Sequence, residues 1–308
     1  FQPHAAIPDP LWSRGLGDVY KRQMSVRVAA SQFKSIKEKK DLNINKAIHI
    51  AQQASKENVN IFLLQELFQT EYFCSTQDKK FFNYAIEFPN DKLFEIFSNF
   101  CKKNNMVMPI SFFEKKENNF FNSLVVINAD GKLSDLYRKS HIPEGPGYNE
   151  KFYFKPGDTG FKVFNTKFGN LGCGICWDQW FPECARSMTL SGADILLYPT
   201  AIGSEPQDPL LDSKDHWQNV MKGHAAANQI PVIASNRIGT ENEGSISVTF
   251  YGSSFIANHL GNIEIEMDKK DEGFVSKNFD FSEITKYRQS WGNFRDRRPD
   301  LYKKICDF

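Results

Sequence analysis

Hydrophobic positions along the chain repeat with two different periods, and the switches between them outline an alternating strand and helix order. Residues 26–33 form a clean apolar strand, after which Ile44, Ala47, Ile48, Ala51 and Ala54 recur at three- and four-residue spacing. That spacing predicts an amphipathic helix over 41–56. Val59 to Leu64 is a continuous apolar run of the buried-strand type and stops at Gln65-Glu66. A helix is expected over 91–103 and strands over 107–113 and 122–128. Asp130-Gly131 marks a hairpin turn, and a returning strand over 133–138 delivers Lys139. The Gly- and Pro-containing stretch 141–160 reads as one long loop, of a length that usually carries function. In the second half a strand leads to Cys176, a helix covers 182–191, and a strand over 194–198 ends at Pro199-Thr200. A helix over 214–228, a strand over 231–235 and strands over 251–257 and 262–267 complete the pattern. No linker or compositional break interrupts it, so residues 24–308 are expected to form one domain. Hairpins mixed with alternating units point to two sheets packed face to face with helices outside.

Bulk properties narrow the function classes. Hydrophobic residues make up 41% and charged residues 24% of the 308 positions, an ordinary globular composition. A net charge of +1 gives no global field for nucleic acid or an anionic membrane. No apolar run approaches the roughly 18–20 residues of a membrane-spanning helix. The basic end, Arg295, Arg297, Arg298, Lys303 and Lys304, is interleaved with Asp296 and Asp300, so it reads as a tail that docks on a second copy in a homo-oligomer. Six cysteines spread through a chain of this size suit a reducing, cytoplasmic setting better than a disulfide framework. Residues 1–23 lack periodicity, and Asp18-Val19-Tyr20-Lys21-Arg22-Gln23 matches the translation of a library adapter. They are expected to be a non-native, disordered leader.

The candidate chemistry lies at three strand ends. In Gly172-Cys173-Gly174-Ile175-Cys176-Trp177-Asp178 a strand stops abruptly before a helix, which exposes a sulfur beside the backbone donors of the turn. A free thiol with a pKa near ~8.5 needs a base at neutral pH. Glu66 follows a buried strand, where a carboxylate must be partnered and can accept a thiol's proton. Lys139, ending a third strand, supplies a cation to lower the thiol pKa and hold an oxyanion. Each residue also has an inert reading: Cys176 as a core thiol, Glu66 with Lys139 as a structural ion pair, and Cys173 with Cys176 as a dithiol. A lone Cys-x-x-Cys is weak evidence for zinc, and His216 with His224, eight apart, read as core or interface histidines. The coincidence of three reactive types at strand ends favours catalysis.

This arrangement resembles the nitrilase superfamily of carbon–nitrogen hydrolases, whose Glu-Lys-Cys triad matches Glu66, Lys139 and Cys176 in order and context. The resemblance is carried further by Arg138-Lys139-Ser140-His141-Ile142-Pro143, by Ile175 to Glu183, by Tyr198 to Pro206 and by Phe294 to Tyr302. Those runs are similar to the amidases of carbamoylated diamines. The resemblance implies a four-layer α-β-β-α sandwich, a homo-oligomer, no metal and no organic cofactor. It also implies hydrolysis of N-carbamoylputrescine to putrescine, carbon dioxide and ammonia through a cysteine thioester, as a step of putrescine synthesis from agmatine. A second active-site glutamate is expected at Glu150, with Glu144 as the alternative.

Charge argues for the substrate class. Relatives acting on N-carbamoyl amino acids place arginines just after the cysteine, where this chain has Asp178-Gln179-Trp180. Carboxylates at Glu205, Asp208, Asp212 and Asp215 offer partners for the free ammonium of a carbamoylated diamine. Trp177, Asp178, Tyr148 and Glu205 are the expected substrate contacts. Another N-carbamoyl amine or amino acid, or an ω-amide, is the alternative substrate.

Overall fold

The computed structural model describes residues 25–307; the expected leader over residues 1–23 lies outside them. The first half contains β1 (Ser25–Gln32), α1 (Lys40–Lys56), β2 (Ile61–Leu63), α2 (Lys92–Asn104), β3 (Met108–Lys116), β4 (Asn119–Ile127) and β5 (Leu133–Arg138). A one-turn helix, α3 (Glu150–Tyr153), leads to β6 (Val163–Thr166), β7 (Gly169–Cys173), α4 (Pro182–Leu190), β8 (Ile195–Pro199), α5 (Lys214–Asn228) and β9 (Val232–Ser235). The chain closes with β10 (Ile238–Glu243), β11 (Ile246–Tyr251), β12 (Phe255–Ala257), β13 (Ile263–Glu266), β14 (Gly273–Asp280) and α6 (Phe281–Trp291).

Apart from β10 and β11, which pair with each other as a separate hairpin, these strands build two sheets. In the first, β1 pairs antiparallel with β14 and parallel with β2. The Phe62 N–H donates to Val107 O and the Val107 N–H to Asn60 O, which joins β2 to the β3-β4-β5 meander. The second sheet runs β13-β12-β9-β8-β7-β6, with β7, β8 and β9 parallel.

Side-chain alternation sorts each strand between two layers. On β1 and β2, Val28, Ala30, Ile61 and Leu63 point to the layer between the sheets, where they meet Leu171, Cys173, Ile195, Leu197 and Ile233. Their neighbours Ala29, Phe62 and Leu64 face outward onto Ile44, Ala47 and Ala51 of α1 and Leu93, Phe94 and Phe97 of α2. Leu196, Val232 and Ala234 likewise face outward onto Met188 of α4 and Trp217, Met221 and Ala225 of α5. Helix, sheet, sheet, helix is the four-layer α-β-β-α sandwich, and strands buried on both faces explain the uninterrupted apolar runs. Each fully buried Leu, Ile or Val contributes about 1.5–3 kcal/mol.

Differences from expectation have local causes. The strand expected over 251–257 is two strands, because Gly252 and Ser253 adopt φ of 57° and 52° where the chain leaves the β10–β11 hairpin for the second sheet. The hairpin itself, β6, β14 and α6 were not visible in the pattern: β14 is almost wholly half-buried, so it shows neither alternation nor a continuous apolar run.

Candidate active site

Strand ends from both sheets meet at one point. Glu66, just past β2, donates its N–H to Thr200 O at the end of β8 across 3.4 Å. Lys139 follows β5 and is pinned to β4 through its N–H on Asn122 O at 2.8 Å. Cys176 opens a 3-10 turn after β7 with φ of +40°, a left-handed backbone costing about 1–3 kcal/mol for a non-glycine residue. Gly174 lets that turn pass tightly, since a Cβ there would lie 2.8 Å from the Tyr198 ring. The Cys176 side chain points at Ala201 O, 3.8 Å from Sγ.

Close enough to act on the thiol electrostatically lies a fully buried charge cluster. Lys139, Glu66 and Glu150 are fully buried. Lys139 Nζ donates to Glu66 Oε1 at 2.9 Å and to Glu150 Oε2 at 2.6 Å. Asn122 Nδ2 adds a bond to Glu66 Oε1 at 2.7 Å, and the Tyr72 hydroxyl donates to Glu150 Oε1 at 2.8 Å. No donor among the described residues reaches Glu66 Oε2. Burial opposes the charge of Lys139, but Glu150 and Glu66 outweigh it and hold the ammonium well above its ordinary pKa. Burial pushes Glu150 up to about 7, with Lys139 opposing and Glu66 adding. The Cys176 thiol is pushed well up by burial and then by Glu66, against the pull of Lys139. Lys139 was expected to lower the thiol pKa; it does pull that way, but burial and the carboxylates win, so the resting sulfur keeps its proton.

Cys176 and Glu150 open onto a cavity of about 350 Å³ lined by Glu144, Tyr148, Trp177, Trp180, Ala201, Ile202, Glu205, Gln207, Ser213 and His216, with Pro143 and Gly145. Trp177 is 39% exposed and leans on Trp180, whose ring meets His216 edge-on at 4.9 Å. The Tyr148 hydroxyl accepts from the Gly203 N–H and donates to Ser204 O. Of the carboxylates in the later loop only Glu205 lines the cavity. Asp208 accepts from the Leu210 N–H, Asp212 from the Lys214 N–H and from Lys269, and Asp215 is exposed. Glu144 sits at the exposed rim and accepts from the Lys151 N–H, so Glu150 is the glutamate that joins the lysine. His216 was missed as a cavity residue; its partner in the pattern, His224, is buried and donates to Gln179 O.

Asp178 does not reach the cavity. Its fully buried carboxylate accepts from Tyr137 Oη at 2.7 Å, from the Ile175 N–H at 2.9 Å and from the His141 N–H at 3.0 Å, and pairs with His141 Nδ1 at 2.8 Å. The expected substrate contact is therefore a clamp that ties the cysteine turn to the strand carrying Lys139. Asp178→Ala strands several buried donors and is expected to lower unfolding stability by about 3 kcal/mol, read as a lower midpoint in urea.

Cys173 is buried in the inter-sheet core, and every cysteine of the described residues is a free thiol. Among the described residues no cluster of three or more His, Cys, Asp or Glu is placed to hold a metal, and no helix is long and apolar enough to cross a membrane.

Comparison with known proteins gives the family. The carbon–nitrogen hydrolase family profile matches residues 27–289. The chain is 52% identical to the N-carbamoylputrescine amidase of Oryza sativa subsp. japonica over 284 residues, 91% of this chain and 94% of that one. It is 49% identical to the citrullinase of Francisella tularensis, with 91% and 98% covered. The crystal structure of a carbon–nitrogen hydrolase from Helicobacter pylori G27 superposes with a TM-score of 0.87 at 37% identity, covering 92% of this chain and 99% of that one. The profile match and these relatives show that this chain belongs to the carbon–nitrogen hydrolase family.

Proposed function

We propose that the protein hydrolyses N-carbamoylputrescine to putrescine, carbon dioxide and ammonia, with Cys176 as nucleophile. Glu66, through its unoccupied Oε2, takes the proton from Sγ as the sulfur attacks the ureido carbon. Lys139 and the Trp177 N–H hold the developing oxyanion. The C–N bond breaks as the proton passes from Glu66 to the departing nitrogen, leaving a thiocarbamate on Cys176. Glu66 then takes a proton from water, the hydroxide displaces the thiolate, and the carbamate product loses carbon dioxide. Glu150, with both oxygens engaged, orients Lys139 rather than moving protons. Free thiols suit a cytoplasmic enzyme, and exposed Trp291, Leu301 and Ile305 offer apolar surface for a second copy.

The observation that carries the substrate is the cavity wall. It carries the carboxylates of Glu144, Glu150 and Glu205, and no Lys or Arg is among the lining residues. A ureido group at Cys176, an aliphatic stem along Trp177 and Tyr148, and an ammonium at Glu205 match a carbamoylated diamine. Rice and other plant relatives named N-carbamoylputrescine amidase at 50–52% identity support the same reading. The Francisella relative named citrullinase favours a second one. Citrulline shares the ureido group, stem and ammonium but adds a carboxylate, for which His216 is the lone cationic candidate in the wall.

Ammonia release from N-carbamoylputrescine, citrulline, N-carbamoyl-β-alanine and a simple ω-amide separates these readings. The diamine derivative is expected to have the highest kcat/KM, and preference for citrulline would overturn the substrate assignment. Glu205→Gln is expected to raise KM for N-carbamoylputrescine about 10-fold with kcat little changed, the signature of a contact equal in ground and transition states.

A further inference from the structure

Asn122 is a fully buried amide on β4, flanked by Phe121 and, beyond Ser123, by Leu124 and Val125. Strand packing does not call for it. Its Nδ2 donates to Glu66 Oε1 at 2.7 Å, while its main-chain oxygen accepts the Lys139 N–H at 2.8 Å. One residue therefore touches both members of the charge cluster that flank the sulfur. The consequence is an asymmetry between the two glutamates. Glu150 has one donor on each oxygen; Glu66 has two donors on Oε1 and none among the described residues on Oε2.

The amide orientation follows from the carboxylate, since the reverse would set two acceptors against each other. That orientation leaves Asn122 Oδ1 buried without a donor among the described residues. An orphaned buried acceptor is unfavourable, so the residue is kept at some cost to stability.

We propose that Asn122 is a positioning residue that selects Oε2 of Glu66 as the proton acceptor. By saturating Oε1 with Lys139 it fixes the carboxylate plane and aims the remaining lone pairs outward. Lys139 does not replace it, because the ammonium is shared with Glu150 and has the oxyanion to serve when the tetrahedral intermediate forms. The inference rests on the reading of Glu66 as base.

The test compares Asn122→Leu, Asn122→Asp and Glu66→Gln in the full chain, with kcat and KM for N-carbamoylputrescine followed from pH 5 to 9. Alkylation of Cys176 by iodoacetamide, followed by peptide mass, reports deprotonation without substrate. For Asn122→Leu, kcat is expected to fall about 10- to 100-fold with KM within about twofold. Losing a hydrogen bond to the ionised carboxylate eases its protonation, so the acid limbs of the rate and alkylation profiles move up by about one pH unit. The thermal midpoint stays within about 3 °C of the parent, because the orphaned oxygen is removed together with the donor. Asn122→Asp, of the same shape, sets a second carboxylate beside the first and moves the limbs further up; it decides the matter if the leucine variant fails to fold. Unchanged profiles, or a smaller active fraction with an unshifted profile, would overturn the proposal. Glu66→Gln is expected to be inactive. Turnover by that variant would remove the base reading and the proposal with it, whereas an inactive Glu66→Gln beside an unaltered Asn122→Leu would remove the proposal alone.

Discussion

Cys176→Ser is expected to lose at least about 10⁴-fold in turnover while still binding N-carbamoylputrescine, followed by the fluorescence of Trp177 and Trp180. The reason is the proton. Even the thiol is held protonated by burial and by Glu66, and catalysis requires one carboxylate to remove that proton as the substrate docks. An alcohol is several pKa units harder to deprotonate than a thiol, so the same base cannot generate the nucleophile. The left-handed backbone at Cys176 is met as well by Ser as by Cys, so the fold should be retained. Cys173→Ser supplies the contrast. That side chain is fully buried in the inter-sheet layer, so the substitution should lower stability by about 1–3 kcal/mol and leave kcat near the parent value. Equal inactivation by both substitutions would point to a dithiol and sink the hydrolase mechanism.

What the sequence disclosed follows from how much each element depends on its own residues. Glu66 was legible because an apolar run stops there at a reactive side chain, Lys139 and Cys176 because a returning strand and a strand before a sharp turn end at them, and α5 was found with both ends because its buried face repeats regularly. Glu150 was reached only through the family resemblance; nothing local distinguishes a glutamate that will be buried from one such as Glu144 at the rim. Asn122 and Tyr72 were missed, although a lone amide beside Phe121 and Leu124 is itself a signal, since a buried polar side chain must find a partner. Asp178 was misread because a carboxylate two residues after the nucleophile looks available to substrate. Its occupation by Tyr137, His141 and Ile175 depends on the close approach of β5 to the cysteine turn, a tertiary fact. Of the four acids in the later loop, the fold turns Glu205 alone to the cavity, and no local pattern separates it from the other three.

Lys139→Met should have the largest combined effect, because among the described residues the lysine is the only cation bonded to two fully buried carboxylates. Removing it leaves Glu66 and Glu150 buried without compensation, a change that costs about 3–5 kcal/mol in comparable buried pairs, and turnover should fall by at least about 10³-fold with the oxyanion unheld. The sign of the pH dependence follows from the protons. Glu150 already has its folded pKa raised from 4.5 to about 7, so the folded state holds that proton more tightly than the unfolded chain. Its contribution therefore favours folding below about 4.5, declines as pH rises to about 7 and is flat above. Without the ammonium the carboxyl pair holds its protons more tightly still. The deficit relative to the parent should thus be small near pH 5 and full near pH 8, as measured by urea unfolding at both. Adding Glu150→Gln to Lys139→Met removes one of the two charges and should restore much of the stability at pH 8 without restoring ammonia release. A small, pH-independent loss in the single variant would mean that Lys139 does not balance the two carboxylates. Recovery of turnover in the double variant would mean that it does not hold the oxyanion.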